Sequence, residues 1–297
     1  MRTVEPNTGK ILLTNEDGKD LFDEIDLTVD DTLDSLRRMG DKYQVCAVGF
    51  STFCMNFIAV DDKGNPVGKK ATLSYACNTD EVASECRLLK SILGRQGQKT
   101  LYQRTGTPLH SGYALPQLRA LYTNASTNQD DSGSNENIVM WQTLASICLS
   151  RWQGTPFSNV SFSEASWTGL FNFRSCEWDK EAIALLPEAV RDTLPPLCDY
   201  SDKVNSVGGI GRMKGGVDST PNPYWDRWPE LRVGTSDVDG GTSFSGCKMF
   251  LGIGDGACAN IGSWCGSCSK IAVTIGTSAA ARVCLPLPAN DEVLGRF

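Results

Sequence analysis

One histidine, His110, is the only imidazole in 297 residues. Sites that need two or three histidine ligands are therefore excluded, and a Ser-His-Asp triad could draw on His110 alone. Cysteine is thin as well: 12 in 297 residues is far below the density of a disulfide scaffold. Positive charge is in deficit, since 28 Lys+Arg against 35 Asp+Glu leaves −7. Such a chain grips phosphate backbones poorly, so no nucleic acid partner is expected. The longest basic cluster, Gly211-Arg212-Met213-Lys214, is too short to reverse that. No apolar run reaches the ~18 residues of a membrane span, and Met1 to Pro6 lacks the apolar stretch of a signal peptide. The expected setting is the cytoplasm, with thiols mostly free and the sequons at Asn124 and Asn159 idle.

Hydrophobic residues make up 40% and charged residues 21%, which is the balance of a globular protein. The length suits roughly two domains. Partial 3.6-residue spacing predicts a helix over Asp20 to Met39, after a polar, turn-rich opening of about eighteen residues. Tyr43 to Phe50, Asn56 to Val60 and Ala71 to Tyr75 read as successive strands of a β-meander, with a turn at 61–66. Helices are expected over Asp80 to Leu93, Leu115 to Leu121, Ile138 to Trp152 and Lys180 to Leu194, the last ended by Pro195-Pro196. Ser126 to Asn137 is a polar loop, and Gly208 to Pro223 is glycine-rich and irregular. Strands return at Lys248 to Ile253 and Lys270 to Ile275. Strands, then helices, then strands again indicate an α/β or α+β protein with an interrupted sheet.

Two glycine-bounded turns carry the chemistry. Phe250-Leu251-Gly252-Ile253-Gly254-Asp255-Gly256 runs a strand into a helix of small residues. Glycines on both sides of Asp255 permit a sharp bend and close ligand approach. The helix dipole favours its ionised form, which suits a general base. An ordinary helix N-cap has the same local sequence. Downstream, Val273-Thr274-Ile275-Gly276-Thr277-Ser278-Ala279 reads as a hairpin whose tip offers backbone N–H groups and two hydroxyls to phosphate oxygens. A plain hairpin fits those residues too. A carboxylate turn and a phosphate-type turn some twenty positions apart are what phosphoryl transfer needs. Other nucleotide signatures fail. Gly209-Ile210-Gly211-Arg212-Met213-Lys214 has Lys in place of the third glycine, and no Walker-type loop occurs. Cys265-Gly266-Ser267-Cys268 has ligand spacing without a partner pair. The seven tryptophans are expected as core or pocket wall.

Gly254-Asp255-Gly256-Ala257 followed by Val273 to Ala279 resembles the FGGY carbohydrate kinases, in particular their gluconokinase-like branch. Supporting stretches stand in the family's order. They are Ala47 to Phe53, Arg104 to His110 with Leu115 to Arg119, Ser163 to Leu170 with Trp178-Asp179, and Arg227 to Leu231. The resemblance spans about residues 20 to 285. It implies an α/β chain of the actin-like ATPase, ribonuclease-H-like fold, here mostly the N-terminal lobe with the first hairpin of the C-terminal lobe. On that likeness, residues 1–262 form a partial sugar-binding lobe and residues 263–297 begin a nucleotide-binding lobe.

The resemblance implies ATP with Mg²⁺ as cofactors and a small sugar or sugar acid as partner, with no membrane. It makes Asp255 the general base and Gly276, Thr277 and Ser278 the phosphate-binding turn. Phe53, Cys54, Met55, Tyr113, Gly254 and Asp255 become the acceptor site. The sequence departs from the family pattern in several places. No Asp-Gly-Thr-Thr/Ser turn precedes Asp20, and the chain ends soon after the hairpin, so a fragment is expected. Residues 270–285 would then expose strand edges. Met55 stands where the branch has His and Cys54 where it has Trp, and no Asp-x-Arg occurs around Tyr75 to Asp80. Two alternatives follow from the likeness: a sugar-binding or regulatory chain without catalysis, and a related kinase acting on xylulose, ribulose or glycerol.

Overall fold

The computed structural model of the chain describes residues 4–5, 7–14, 20–40, 42–68, 71–77, 79–125, 138–198, 223–231, 247–275 and 279–286. The first long element is α1 (Leu21–Arg38), capped by the Asp20 carboxylate, which accepts from the N–H groups of Phe22 and Asp23. Strands β1 (Ala47–Thr52) and β2 (Asn56–Val60) follow, then β3 (Thr72–Ser74). Helix α2 (Asp80–Thr105) is capped by Thr79 and stopped by left-handed Gly106; a non-helical Gly94 divides it. Next come α3 (Ala114–Ala125), β4 (Met140–Gln142), α4 (Leu144–Gln153) and β5 (Val160–Ser161). Short elements continue the chain: α5 (Phe162–Ala165), β6 (Phe171–Asn172), β7 (Glu177–Trp178), α6 (Lys180–Ala184), α7 (Glu188–Arg191) and β8 (Leu197–Cys198). The last part holds α8 (Pro223–Arg227), β9 (Lys248–Gly254), α9 (Asp255–Gly262), and the ribbon of β10 (Ile271–Ile275) and β11 (Ala279–Val283).

Strand β2 organises the interior. All five of its residues are buried, and successive side chains of a strand point to opposite faces. Ile58 and Val60 enter one core with α1, α4 and β9, through Phe22, Leu33, Ile147, Leu149, Met249 and Leu251. Phe57 and Ala59 enter a second core with Leu73, Leu89, Leu101, Leu118 and Trp141. Strand β2 pairs antiparallel with β3 and with β4. Strand β1 instead pairs in parallel with β9, 200 positions away, with Thr52 opposite Gly254.

That pairing corrects the meander expected for the first three strands. Parallel partners need a long crossover, and this one is supplied by nearly everything between β1 and β9. The helix expected over 138–152 begins only at Leu144. Met140-Trp141-Gln142 is strand, and Thr143 with Ser146 forms a capping box that starts α4. The helix expected over 180–194 is two short helices split at Leu185 to Pro187, since proline removes a backbone donor. The polar opening is not all surface: Ile11 and Leu13 are buried, and the Ile11 N–H donates to Thr72 Oγ1 at 3.1 Å. The 126–137 loop and residues 208–222 of the glycine-rich stretch lie outside the described residues. None of the twelve cysteines is in a disulfide. No described helix is long and apolar enough to cross a membrane. The β10–β11 ribbon exposes Ile271, Val273 and Ile275, and nearby Trp264 is 83% exposed; this tryptophan is neither core nor pocket wall.

Residues 223–231 are tied to α1 by charge. Asp26, only 2% exposed, accepts from Trp152 Nε1 at 2.9 Å, Arg151 Nη2 at 3.1 Å and the Tyr224 hydroxyl at 2.8 Å. One turn along, Asp30 takes Arg227 and the Trp228 indole, and Arg37 pairs with Glu230 at 2.6 Å. The exposed pairs contribute little. The buried one matters because each partner would be left desolvated without the other. Asp26→Ala should therefore destabilise the protein by about 3 kcal/mol, read as a lower urea midpoint at unchanged m-value.

Candidate active site

Where β1 ends, the chain reverses through Phe53-Cys54-Met55 before entering β2. Met55 adopts a left-handed φ of 41°, an uncommon conformation for a residue with a side chain. Its side chain is buried in the second core. Phe53 packs against the first core. Both line a small crevice with Thr52, Asn56, Trp167 and Gly254. Cys54, between them, faces Asp255. Its thiol donates to Asp255 Oδ1 at 3.2 Å. Burial first, and the neighbouring carboxylate second, push this thiol up to about 12, so it stays protonated and inert as a nucleophile.

Asp255 is the first residue of α9, one place beyond the N-cap, Gly254. Its Oδ1 accepts the Gly256 N–H at 2.7 Å, and the residue is exposed. The carboxylate thus stands open at a strand end, next to a helix start whose dipole favours negative charge. Arg282 of β11 lies beside the next residue: a Cβ on Gly256 would sit 3.2 Å from Arg282 Nε. The guanidinium also bonds Thr274 Oγ1 across the ribbon at 3.1 Å.

The bend before Asp255 is held from below. Ser161 Oγ donates to the Gly252 carbonyl at 2.5 Å, and Gly254 N–H donates to Ser163 Oγ at 3.2 Å. A Cβ on Gly252 would fall 2.5 Å from Glu164 Cδ, and one on Gly254 would fall 2.7 Å from Trp167 Nε1. Glycine at these two places lets the 161–167 segment press against the strand backbone. Glu164 itself is 6% exposed. Its Oε1 accepts from Thr52 Oγ1 at 3.3 Å, while Oε2 has no partner. Thr143 stands near, but its hydroxyl is committed to Ser146 at 3.0 Å. Burial pushes this carboxyl up to about 7, against the pull of the Thr143 and Thr52 hydroxyls.

Burial first, with Tyr75, Cys54 and Tyr102 adding to it, pushes the Tyr113 phenol up to about 12. It is one corner of an aromatic triangle. Tyr75 stacks on His110 at 6.1 Å, and Tyr113 meets Tyr75 and His110 edge-on at 5.7 and 6.2 Å. The single histidine is no triad member: its Nδ1 accepts the Gly112 N–H at 3.0 Å. Where an Asp-x-Arg was expected, Cys77 is buried and Thr79 caps α2.

Phe53, Cys54, Met55, Tyr113, Gly254 and Asp255 thus converge from three parts of the chain. Gly276, Thr277 and Ser278 lie outside the described residues. Glu164, Trp167 and Arg282 did not stand out as site residues in the sequence. The spaced glycines of β9, each marking a close approach, were the available signal for the first two. Among the described residues no group of three or more His, Cys, Asp or Glu forms a cation cage.

The family profile of "FGGY family of carbohydrate kinases, N-terminal domain" matches residues 2–220. The gluconokinase of Bacillus subtilis (strain 168) is 23% identical over 273 residues, covering 91% of this chain and 44% of that protein. The gluconate kinase of Lactobacillus acidophilus superimposes with a TM-score of 0.62 at 19% identity, over 93% of this chain and 48% of that one. The xylulose kinase of the same organism gives 0.62 at 18% identity, over 93% and 48%. The chain therefore spans less than half the length of these relatives, and its fold is the actin-like, ribonuclease-H-like one of the sugar kinases.

The Glu164 carboxyl generates a stability signature. Its folded-state value of about 7 lies above the ordinary glutamate value of 4.5, so the folded protein holds a proton that the unfolded chain releases. Stability should be greatest below the unfolded value, fall as pH rises between about 4.5 and 7, and level off above, by about 3 kcal/mol in all. Glu164→Gln should remove that part of the slope in urea titrations from pH 4.5 to 8.

Proposed function

This chain belongs to the FGGY family of carbohydrate kinases, and on that premise we propose that it acts in ATP-dependent phosphorylation of a hydroxyl on a sugar or sugar acid, with Asp255 as general base. The observation carrying the reading is the exposed Asp255 carboxylate at the β9–α9 bend, with Cys54 on its Oδ1 and Arg282 beside the following Gly256. The nucleotide, with Mg²⁺, supplies the phosphoryl group. Asp255 takes the proton of the acceptor hydroxyl as its oxygen bonds to the terminal phosphorus and the bond to the leaving diphosphate breaks. Arg282 offers positive charge beside the next residue, where transferring oxygens need neutralising. Gly276, Thr277 and Ser278 are assigned to the phosphate turn. Phe53, Cys54, Met55, Tyr113 and Gly254 are assigned to the acceptor site.

In this reading residues 1–262 form the sugar-binding lobe, 263–297 begin the nucleotide-binding lobe, and the protein works in the cytoplasm. Gluconate is the first acceptor to test, since the matching Bacillus protein is a gluconokinase; xylulose, ribulose and glycerol follow. The Cys54 thiol sits on Oδ1, beside the path of a hydroxyl that approaches the carboxylate, so Cys54 helps set which hydroxyl is taken. The same contact favours a second reading, a sugar-binding or regulatory chain that does not turn over.

Phosphate transfer from ATP to gluconate should fall at least about a thousandfold in Asp255→Ala, the scale of lost base catalysis. Turnover within tenfold of the parent would remove Asp255 from that role. Calorimetric binding of gluconate without any binding of ATP would select the second reading.

A further inference from the structure

The Asp255 bend rests on contacts that phosphoryl chemistry does not use. Four of them come from residues 161–167, and Glu164 is the one that can change charge. Its carboxyl lies against Gly252, two residues before the bend, so closely that no side chain fits there. Thr52, bonded to the same carboxyl, is the register partner of Gly254 in the β1–β9 pair. Glu164 therefore touches both strands where they end, on the two sides from which Cys54 and Asp255 emerge. Its Oε2 has no hydrogen bond, and a buried polar atom without a partner is costly.

We propose that Glu164 is a positioning residue for Asp255, holding the Gly254–Asp255 bend through its contact with Gly252 and releasing it on ionisation. The neutral carboxyl tolerates a dry contact with strand backbone. The carboxylate does not, because a charge in that place lacks solvation. The groups facing it are the Thr52 hydroxyl from β1, the Thr143 hydroxyl ahead of α4 and the Cys148 thiol on α4. From β9 it meets the Gly252 backbone. No charged side chain among the described residues is set against it. The Thr52 and Thr143 hydroxyls and the Ser161 backbone compensate the charge only in part, so ionisation is relieved by movement of the strand ends. The effect on turnover rests on the reading of Asp255 as the base, whereas the coupling of Glu164 to Asp255 does not.

Cys54 reports the bend without any need for activity. While Asp255 accepts its proton the thiol is held protonated, and when Asp255 moves away its thiolate fraction and alkylation rate rise. The full chain is treated with iodoacetamide from pH 6 to 9 and Cys54 labelling is followed by peptide mass spectrometry, with the exposed Cys176, between β6 and β7, as the internal reference. Asp255→Ala sets the rate for the unpartnered thiol. Gly252→Ala should raise the Cys54 rate about threefold or more towards that value. Adding Glu164→Ala should lower it to the rate of Glu164→Ala alone, because the clash is removed and the methyl at 252 then adds nothing. The Glu164→Gln to parent rate ratio should be close to one at pH 6 and fall below one above pH 7.5. A Gly252→Ala rate equal to the parent's, or one not rescued by Glu164→Ala, would overturn the coupling. Should Gly252→Ala fail to fold, a Glu164→Gln ratio flat from pH 6 to 9 would overturn it alone. Absence of gluconate phosphorylation by the parent would count against the proposed function and leave this result standing.

Discussion

Everything at the candidate site depends on how near two pieces of backbone come at the end of β9. A strand normally keeps its neighbours at side-chain distance. Here Gly252 and Gly254 remove that spacing, and the 161–167 segment closes in with two serine hydroxyls, an indole and a carboxyl. The position of Asp255 is therefore set by contacts to its own main chain, with few to its side chain. That leaves the carboxylate free for solvent, the Cys54 thiol and whatever enters the cleft.

The arrangement also explains how chemistry and structure share so few residues. Thr52 ends β1, bonds Glu164 and pairs with Gly254. Met55, in its left-handed turn, puts its own side chain into the core and leaves Cys54 facing the carboxylate. Strain of this kind persists only where surrounding packing over-determines it, and the buried neighbours of Met55 provide that packing.

Much of this was legible beforehand. The amphipathic spacing of α1, the apolar run of β2 and the strand–glycine–aspartate–helix junction at 254–256 all carry local signals, and each forms where expected. The β1–β9 pairing carries none: two distant strands show no sequence relation, so a meander of neighbours was the natural expectation. The start of α4 was missed because Thr143 and Ser146 cap a helix inside an apolar stretch that periodicity alone cannot divide. Glu164 was invisible as a charged site residue. A glutamate in Ser-Glu-Ala-Ser looks like surface until the fold places it under a strand, and only the spaced glycines of β9 pointed to something close by. Arg282 looked like one more ribbon residue, since a hairpin's docking against a helix start is a tertiary event.

Strand β2 has a consequence of another kind. Alternate side chains of the four residues Phe57 to Val60 belong to different hydrophobic clusters, so the strand is a wall common to two rooms. Opening either room would strip one face of that wall and weaken the other. The described part of the protein should consequently lose its structure in a single concerted transition, and amide protons along Phe57 to Val60 should be among the last to exchange.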